Sequence, residues 1–321
     1  MSLNGRRIVI TGATSGIGLA TARLAAARGA SVFLVSRNEE DLRHVAGQIG
    51  RRGGKAAWAR ADVAVRAEVE AAAERAIEAF GGIDAWVNCA ATGLYAPVEQ
   101  SDLADDERLF EVDFWGAVHA TRTALSHMRR HGGAIVTVSS VLATRSVPWQ
   151  GAYAASQHAL KAWTDALRME LRHDRVPVRL TVLQPGGVDS PFHAHARTPF
   201  GRQPILPKPV YAPEVVARAV LRCVKRPRRD TVIGGSGLVL LEKLAPATGD
   251  RLLQRAVALQ LRRDAAVQAP GDGLHLPPPR EGRERGSDRR VLHRSPLAAL
   301  ALHPILGLLG GAAAVGLFRS R

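Results

Sequence analysis

The chain has 321 residues, 46% of them hydrophobic, which is enough for one large core or for one domain with an appendage. Its formal charge of +15, from 44 Lys and Arg against 29 Asp and Glu, favours anionic partners without choosing among nucleic acid, anionic lipid and a phosphorylated cofactor. The two cysteines, Cys89 and Cys223, are too few for a disulfide scaffold and lack metal-ligand spacing, so a reducing compartment is the default.

Residues Met1 to Ile10 hold no apolar run long enough for a signal peptide and lead directly into a glycine-rich turn. From there, short β-branched runs alternate with longer helical patterns. Strands are predicted at Arg7 to Thr11, Ser31 to Val35, Ala56 to Ala61, Ala85 to Asn88, Ala134 to Ser139, Val178 to Gln184 and Thr231 to Ile233. Helices are predicted at Ile17 to Arg28, Glu39 to Arg51, Arg66 to Phe80, Asp105 to Arg130, Tyr153 to His173 and Pro213 to Lys225. This alternation predicts an α/β, doubly wound Rossmann fold with a mostly parallel seven-stranded sheet over residues 1–237.

After Gly237 the pattern changes. Residues 238–266 read as an amphipathic helical extension, and residues 267–294, dominated by Pro, Gly and Arg, read as a flexible basic linker. Residues 295–321 contain 23 residues without a formal charge, Pro296 to Phe318, with Arg294 on one side and Arg319 and Arg321 on the other. At a rise of about 1.5 Å per residue this makes about 34 Å of hydrophobic helix, enough for a hydrocarbon core of about 30 Å, so the segment is a candidate transmembrane anchor. Arg280, Arg283, Arg285, Arg289, Arg290 and Arg294 precede it and suit an anionic cytoplasmic leaflet, which would leave the main domain in the cytoplasm. A buried helix docking on the core is the competing reading. No nucleic-acid-binding motif accompanies the basic charge, and nucleic acid is not expected as a partner.

The glycine turn is Thr11-Gly12-Ala13-Thr14-Ser15-Gly16-Ile17-Gly18, placed directly after a strand and at the opening of a helix. In that context Gly12 permits the tight turn, Gly16 lets the backbone approach a pyrophosphate, and Gly18 allows close helix packing, with the helix N-terminus facing the anion. The second strand ends in Ser36-Arg37-Asn38, with no acidic residue at its tip to hold a ribose 2′-hydroxyl. Arg37 can neutralise a 2′-phosphate instead, so NADP(H) is favoured over NAD(H).

With the glycine turn, Asn88-Cys89-Ala90-Ala91, Ser140, Tyr153 and Pro185-Gly186 all in order, the chain resembles the short-chain dehydrogenase/reductase family from about Leu3 to Gly235. The resemblance implies that Asp62 and Val63 flank the adenine, that Asn88 and Ala90 support the adenosine half, and that Pro185 to Ser190, including Gly186 and Val188, embrace the nicotinamide. It implies hydride transfer between nicotinamide and a carbonyl or alcohol carbon, with Tyr153 exchanging the proton and Ser140 bonding the substrate oxygen. It also implies a homodimer or homotetramer built on the helices around 105–130 and 153–173.

Two positions depart from the family pattern. The family's lysine, four residues after the tyrosine, is Gln157 here, and its active-site asparagine is Asp113. Gln157 can still donate to a ribose hydroxyl but carries no charge, and an ionised Asp113 opposes phenolate formation. Tyr153 should therefore be harder to deprotonate, and carbonyl reduction should suffer less than alcohol oxidation. Lys161, one turn further on, is a weak substitute cation. A competing expectation is a membrane-tethered nucleotide-binding scaffold or sensor with weak or lost catalysis.

Substrate residues are expected from 91–98, 141–149 and 192–211, with Trp149, Phe192, Phe200 and Leu206 forming an apolar pocket for a lipophilic carbonyl compound or alcohol. His193 and His195 have no convincing metal partner and read as solvated loop residues, so no metal site is expected.

Overall fold

Runs such as Ile8-Val9-Ile10 and Val32-Phe33-Leu34 are apolar on both sides of the pleat, the composition of strands covered by helices on both faces. The structure, a computed structural model, describes residues 2–206, 208–256, 261–266, 273–277, 282–286, 288 and 291–293. Its parallel strands are β1 (Arg7–Thr11), β2 (Ser31–Ser36), β3 (Lys55–Arg60), β4 (Ala85–Asn88), β5 (Gly133–Val138) and β6 (Val178–Pro185). A short strand, β7 (Arg202–Pro204), stands apart, and β8 (Asp230–Ile233) completes a seven-stranded sheet of order β3-β2-β1-β4-β5-β6-β8. The order reverses between β1 and β4, and a crevice opens there beyond the strand C-termini.

Helices α1 (Gly16–Ala26), α2 (Glu39–Arg51), α3 (Arg66–Phe80), α4 (Leu103–Phe110), α5 (Gly116–Met128), α6 (Gly151–His173) and α7 (Pro213–Lys225) cover the sheet. Ile8, Ile10 and Leu34 meet Leu19, Leu42 and Val216 from α1, α2 and α7 on one face. Val9, Phe33 and Trp86 meet Val69, Ala124 and Leu171 from α3, α5 and α6 on the other. The period of two in the strands thus feeds two cores.

Three elements differ from the sequence reading. The helix expected over 105–130 is interrupted by a π-helical turn, Glu111–Trp115, between α4 and α5, which places Asp113 in the wider turn. The amphipathic helical extension expected over 238–266 is divided into α8 (Ser236–Leu244) and α9 (Pro246–Ala256), because Pro246 has no N–H to continue the ladder. Residues Leu261–Ala266 then form β9, antiparallel to β7.

The described parts of the expected linker lie against the core. Leu274 is fully buried beside Leu94 and Leu109, and the backbone of Leu292 exchanges hydrogen bonds with Val210 and Ala212 at 2.8 and 3.0 Å. Such a segment needs no core of its own when it borrows the surface of another. No helix among the described residues is long and apolar enough to cross a membrane, and the expected anchor at 295–321 lies outside the described residues.

Candidate active site

The crevice at the sheet's reversal holds a cavity of about 860 Å³. Its floor at one end is the glycine turn between β1 and α1. Gly12 has φ +65°, and a Cβ on it would lie 2.8 Å from the Ala90 backbone. A Cβ on Gly18 would lie 2.0 Å from the Gly12 carbonyl oxygen, so the first turn of α1 closes on the loop only without side chains. Thr14, Ser15, Gly16 and Ile17 line the cavity beside Ser36, Arg37 and Asn38 from the tip of β2. The Thr14 and Ser36 hydroxyls lie 2.9 Å apart, and the Asn38 side chain caps α2 by accepting from Asp41 N–H at 3.2 Å.

Asp62, Val63 and Ala90 also line the cavity. Asp62 accepts from the Arg108 guanidinium at 2.5 Å and from Ala64 N–H at 3.0 Å. Pro185, Gly186, Val188 and Ser190 form the opposite wall. Asn88 lies behind the cavity wall. Its Nδ2 donates to Thr121 Oγ1 at 2.9 Å and Thr137 Oγ1 at 3.2 Å, which ties β4 to α5 and β5.

Ser140 follows β5 and Tyr153 lies in the first turn of α6, so two segments thirteen positions apart present hydroxyls to the same cavity. The two side chains are near enough for Ser140 to favour the ionised form of Tyr153. Ser140 Oγ is further fixed by accepting from Leu142 N–H at 3.1 Å, and the Phe192 ring packs on Tyr153 at a centroid distance of 5.6 Å. Burial pushes the Tyr153 hydroxyl well above its ordinary range. The charge of an ionised Asp113 adds to this, and the neighbouring Ser140 hydroxyl opposes it.

Gln157 lies one turn beyond Tyr153 and does not reach the cavity wall. It is 2% exposed; its Nε2 donates to Asp113 Oδ2 at 3.2 Å, and its Oε1 accepts from Ser139 Oγ at 2.8 Å. Asp113, equally buried, uses Oδ1 to accept from Thr92 N–H at 2.8 Å. The amide expected to meet a ribose hydroxyl is thus engaged within the protein: a buried amide must be satisfied, and the nearest groups are its own neighbours. Burial raises the Asp113 carboxyl well above the ordinary carboxylate range, against the bonds from Thr92 and Gln157. Where Asp113 keeps its proton, burial alone holds Tyr153 neutral. Lys161 is no substitute cation here, because its Nζ pairs with Asp165 at 2.8 Å.

The remainder of the cavity is largely apolar. Leu142, Val147, Phe192, Leu206, Leu238 and Leu253 line it, the last two from α8 and α9. Of the four expected pocket residues, Phe192 and Leu206 are on the wall, whereas the Trp149 and Phe200 rings pack against each other, tilted, at a centroid distance of 4.7 Å. Arg145 holds α8 and α9 in place by pairing with Glu242 and Asp250. His193, expected as a solvated loop residue, is half-buried on the wall, with Nδ1 2.8 Å from the Tyr95 hydroxyl, and burial pushes its pKa down to about 4. His195 also lines the cavity and is likewise pushed down to about 4 by burial. The sequence reading missed the Tyr95–His193 pair, which no local spacing announces. Burial pushes the Cys89 thiol up to about 12, so it is no nucleophile at neutral pH.

Residues 6–199 match the family model described as short chain dehydrogenase. A relative from Bacillus subtilis, named as the uncharacterized oxidoreductase YxnA, is 37% identical over 281 residues, covering 84% of this chain and 79% of that one. Among solved structures, a short chain dehydrogenase from Burkholderia cenocepacia in complex with NADP aligns with a TM-score of 0.64 and 29% identity, covering 73% of this chain and 98% of that chain. A short chain dehydrogenase/reductase from Burkholderia phymatum in complex with NAD aligns at 0.66 and 25% identity, covering 84% and 100%.

Proposed function

The chain belongs to the short-chain dehydrogenase/reductase family and is an NAD(P)-dependent oxidoreductase, and we propose that it interconverts a carbonyl and an alcohol on a lipophilic substrate, using NADP(H) and favouring reduction. The observation that carries this reading is the Ser140–Tyr153 pair on the wall of an otherwise apolar cavity whose far end is a glycine cradle.

The cradle fits a dinucleotide, because Gly12 and Gly18 leave no room for side chains and α1 begins at Gly16 with N–H groups unclaimed by its own first turn. Gly12 to Gly18 would hold the pyrophosphate, Asp62, Val63 and Ala90 the adenosine, and Pro185 to Ser190 the nicotinamide. When bound, the nicotinamide supplies or accepts a hydride. Ser140 Oγ then holds the substrate oxygen, and Tyr153 donates its proton to the oxygen as the carbonyl is reduced. Reduction uses the protonated tyrosine and oxidation the phenolate, so a hydroxyl held far above its ordinary range suits the first direction. Arg37 at the tip of β2 supports NADP(H), its guanidinium matching a 2′-phosphate where NAD-specific folds place a carboxylate.

A second reading, a nucleotide-binding protein with weak or lost catalysis, is favoured by Gln157, whose amide is consumed inside the protein. In either case residues 296–318 would anchor the chain with its main domain on the cytoplasmic side, and α4, α5 and α6 would build a dimer or tetramer. The deciding experiment is NADPH oxidation by the full chain against ketones, aldehydes and larger lipophilic carbonyls, with Tyr153→Phe beside it. A wild-type rate reduced about a hundredfold or more by Tyr153→Phe supports the enzyme. An inert wild type brought to life by Gln157→Lys supports the second reading.

A further inference from the structure

Two groups of donors that a phosphorylated dinucleotide would need already have partners from the chain's own C-terminal segment. Gly16 N–H, the first residue of α1, donates to the Arg283 carbonyl at 3.0 Å. The Arg37 guanidinium donates to the Gly273 carbonyl at 2.5 Å and the Leu274 carbonyl at 3.3 Å. Gly273 and Pro277 stand on the cavity wall beside the glycine turn.

The segment is seated by more than these bonds. Leu274 is 0% exposed against Leu94 and Leu109, and Arg108, which also holds Asp62, donates to the Leu274 carbonyl at 3.3 Å. Glu284 pairs with Arg23 of α1 at 2.6 Å. Asp189 accepts from Gly286 N–H through its carbonyl at 3.3 Å and from Asp288 N–H through Oδ1 at 3.1 Å. The contacts therefore run from the tip of β2 across the N-terminus of α1 to the loop after β6.

A peptide carbonyl offers a partial negative charge to the same N–H and guanidinium donors that a phosphate oxygen satisfies with a full one. A given donor geometry serves one of them at a time. We propose that residues 273–277 and 282–286 act as a built-in competitor for the cofactor, the Arg283 carbonyl standing in for a pyrophosphate oxygen and the Gly273 carbonyl for an oxygen of the ribose 2′-phosphate. Cofactor binding releases the segment, and whatever stabilises the seated segment lowers apparent cofactor affinity by the fraction of open chain. The proposal rests on the dinucleotide reading of the cleft.

The test is binding, read by NADPH fluorescence on the full chain, together with hydrogen exchange of residues 273–277 and 282–286 with and without NADPH. Leu274→Ser removes the buried anchor and Glu284→Lys breaks the pair with Arg23; neither residue is in the proposed catalytic pair. The expected result is NADPH binding about tenfold tighter in both variants, with faster exchange of the segment in the wild type once NADPH is added. Should Leu274→Ser fail to fold, Glu284→Lys and wild-type exchange decide alone. Binding that is unchanged or weaker in the variants, with the segment more protected by NADPH, overturns the proposal and makes the segment a cap on the bound cofactor. If neither wild type nor variants bind NADPH or NADH, the dinucleotide reading itself fails.

Discussion

Position 157 illustrates how one side chain's meaning depends on its neighbours. An amide one turn after Tyr153 reads naturally as a ribose ligand, yet it is fixed by Asp113 from the π-helical turn and Ser139 from the end of β5. These three groups are far apart in sequence, and each is unremarkable by itself; only the fold brings them together. Asp113 carries a testable consequence. Its carboxyl is raised by burial, so the folded state holds the proton that the unfolded chain releases near the ordinary value of 3.8. Its contribution to stability is complete below that pH and is lost as pH rises through the folded-state pKa. Asp113→Asn, with the Gln157 amide turned over to match, removes this loss. The thermal midpoint of Asp113→Asn should exceed that of wild type by a margin that widens from pH 5 to pH 8; a constant or shrinking margin would show that Asp113 ionises freely in the fold.

At the scale of elements, β1, β2 and β5 were legible because runs of five or six residues rich in apolar and β-branched side chains have few alternatives when helical patterns follow them. The cofactor turn was legible for a steric reason: glycine stands where φ is positive at Gly12 and where a Cβ would collide at Gly18. Gly18→Ala should therefore destabilise the chain by about 1–3 kcal/mol, the usual cost of overpacking, and weaken NADPH binding more than tenfold. A denaturant melt and an NADPH titration measure both, and a variant as stable and as tightly binding as wild type would remove the steric argument. Other elements were not legible. The π-helical turn changes hydrogen-bond spacing without changing the apolar period, and the break at Pro246 was concealed within a continuous amphipathic pattern. The C-terminal segment was harder still, since its anchor is one leucine, Leu274, in a stretch rich in Pro, Gly and Arg that has no periodicity to read.

For the whole molecule, the sheet's reversal between β1 and β4 puts the glycine turn, a serine–tyrosine pair and an apolar pocket around one cavity. α8 and α9, held by Arg145, complete the apolar wall, and the C-terminal segment reaches back across the cofactor end. In the proposed reaction this cavity would pass a hydride from the nicotinamide to a carbonyl carbon while Tyr153 supplies the proton. The most direct measurement follows the label from NADPH carrying deuterium at both C4 positions of the nicotinamide, incubated with the full chain and a carbonyl substrate found in the screen. The expected product is an alcohol carrying one deuterium on the carbinol carbon, formed by wild type and lost with Tyr153→Phe. An unlabelled product, or labelled product formed equally well by Tyr153→Phe, would contradict it.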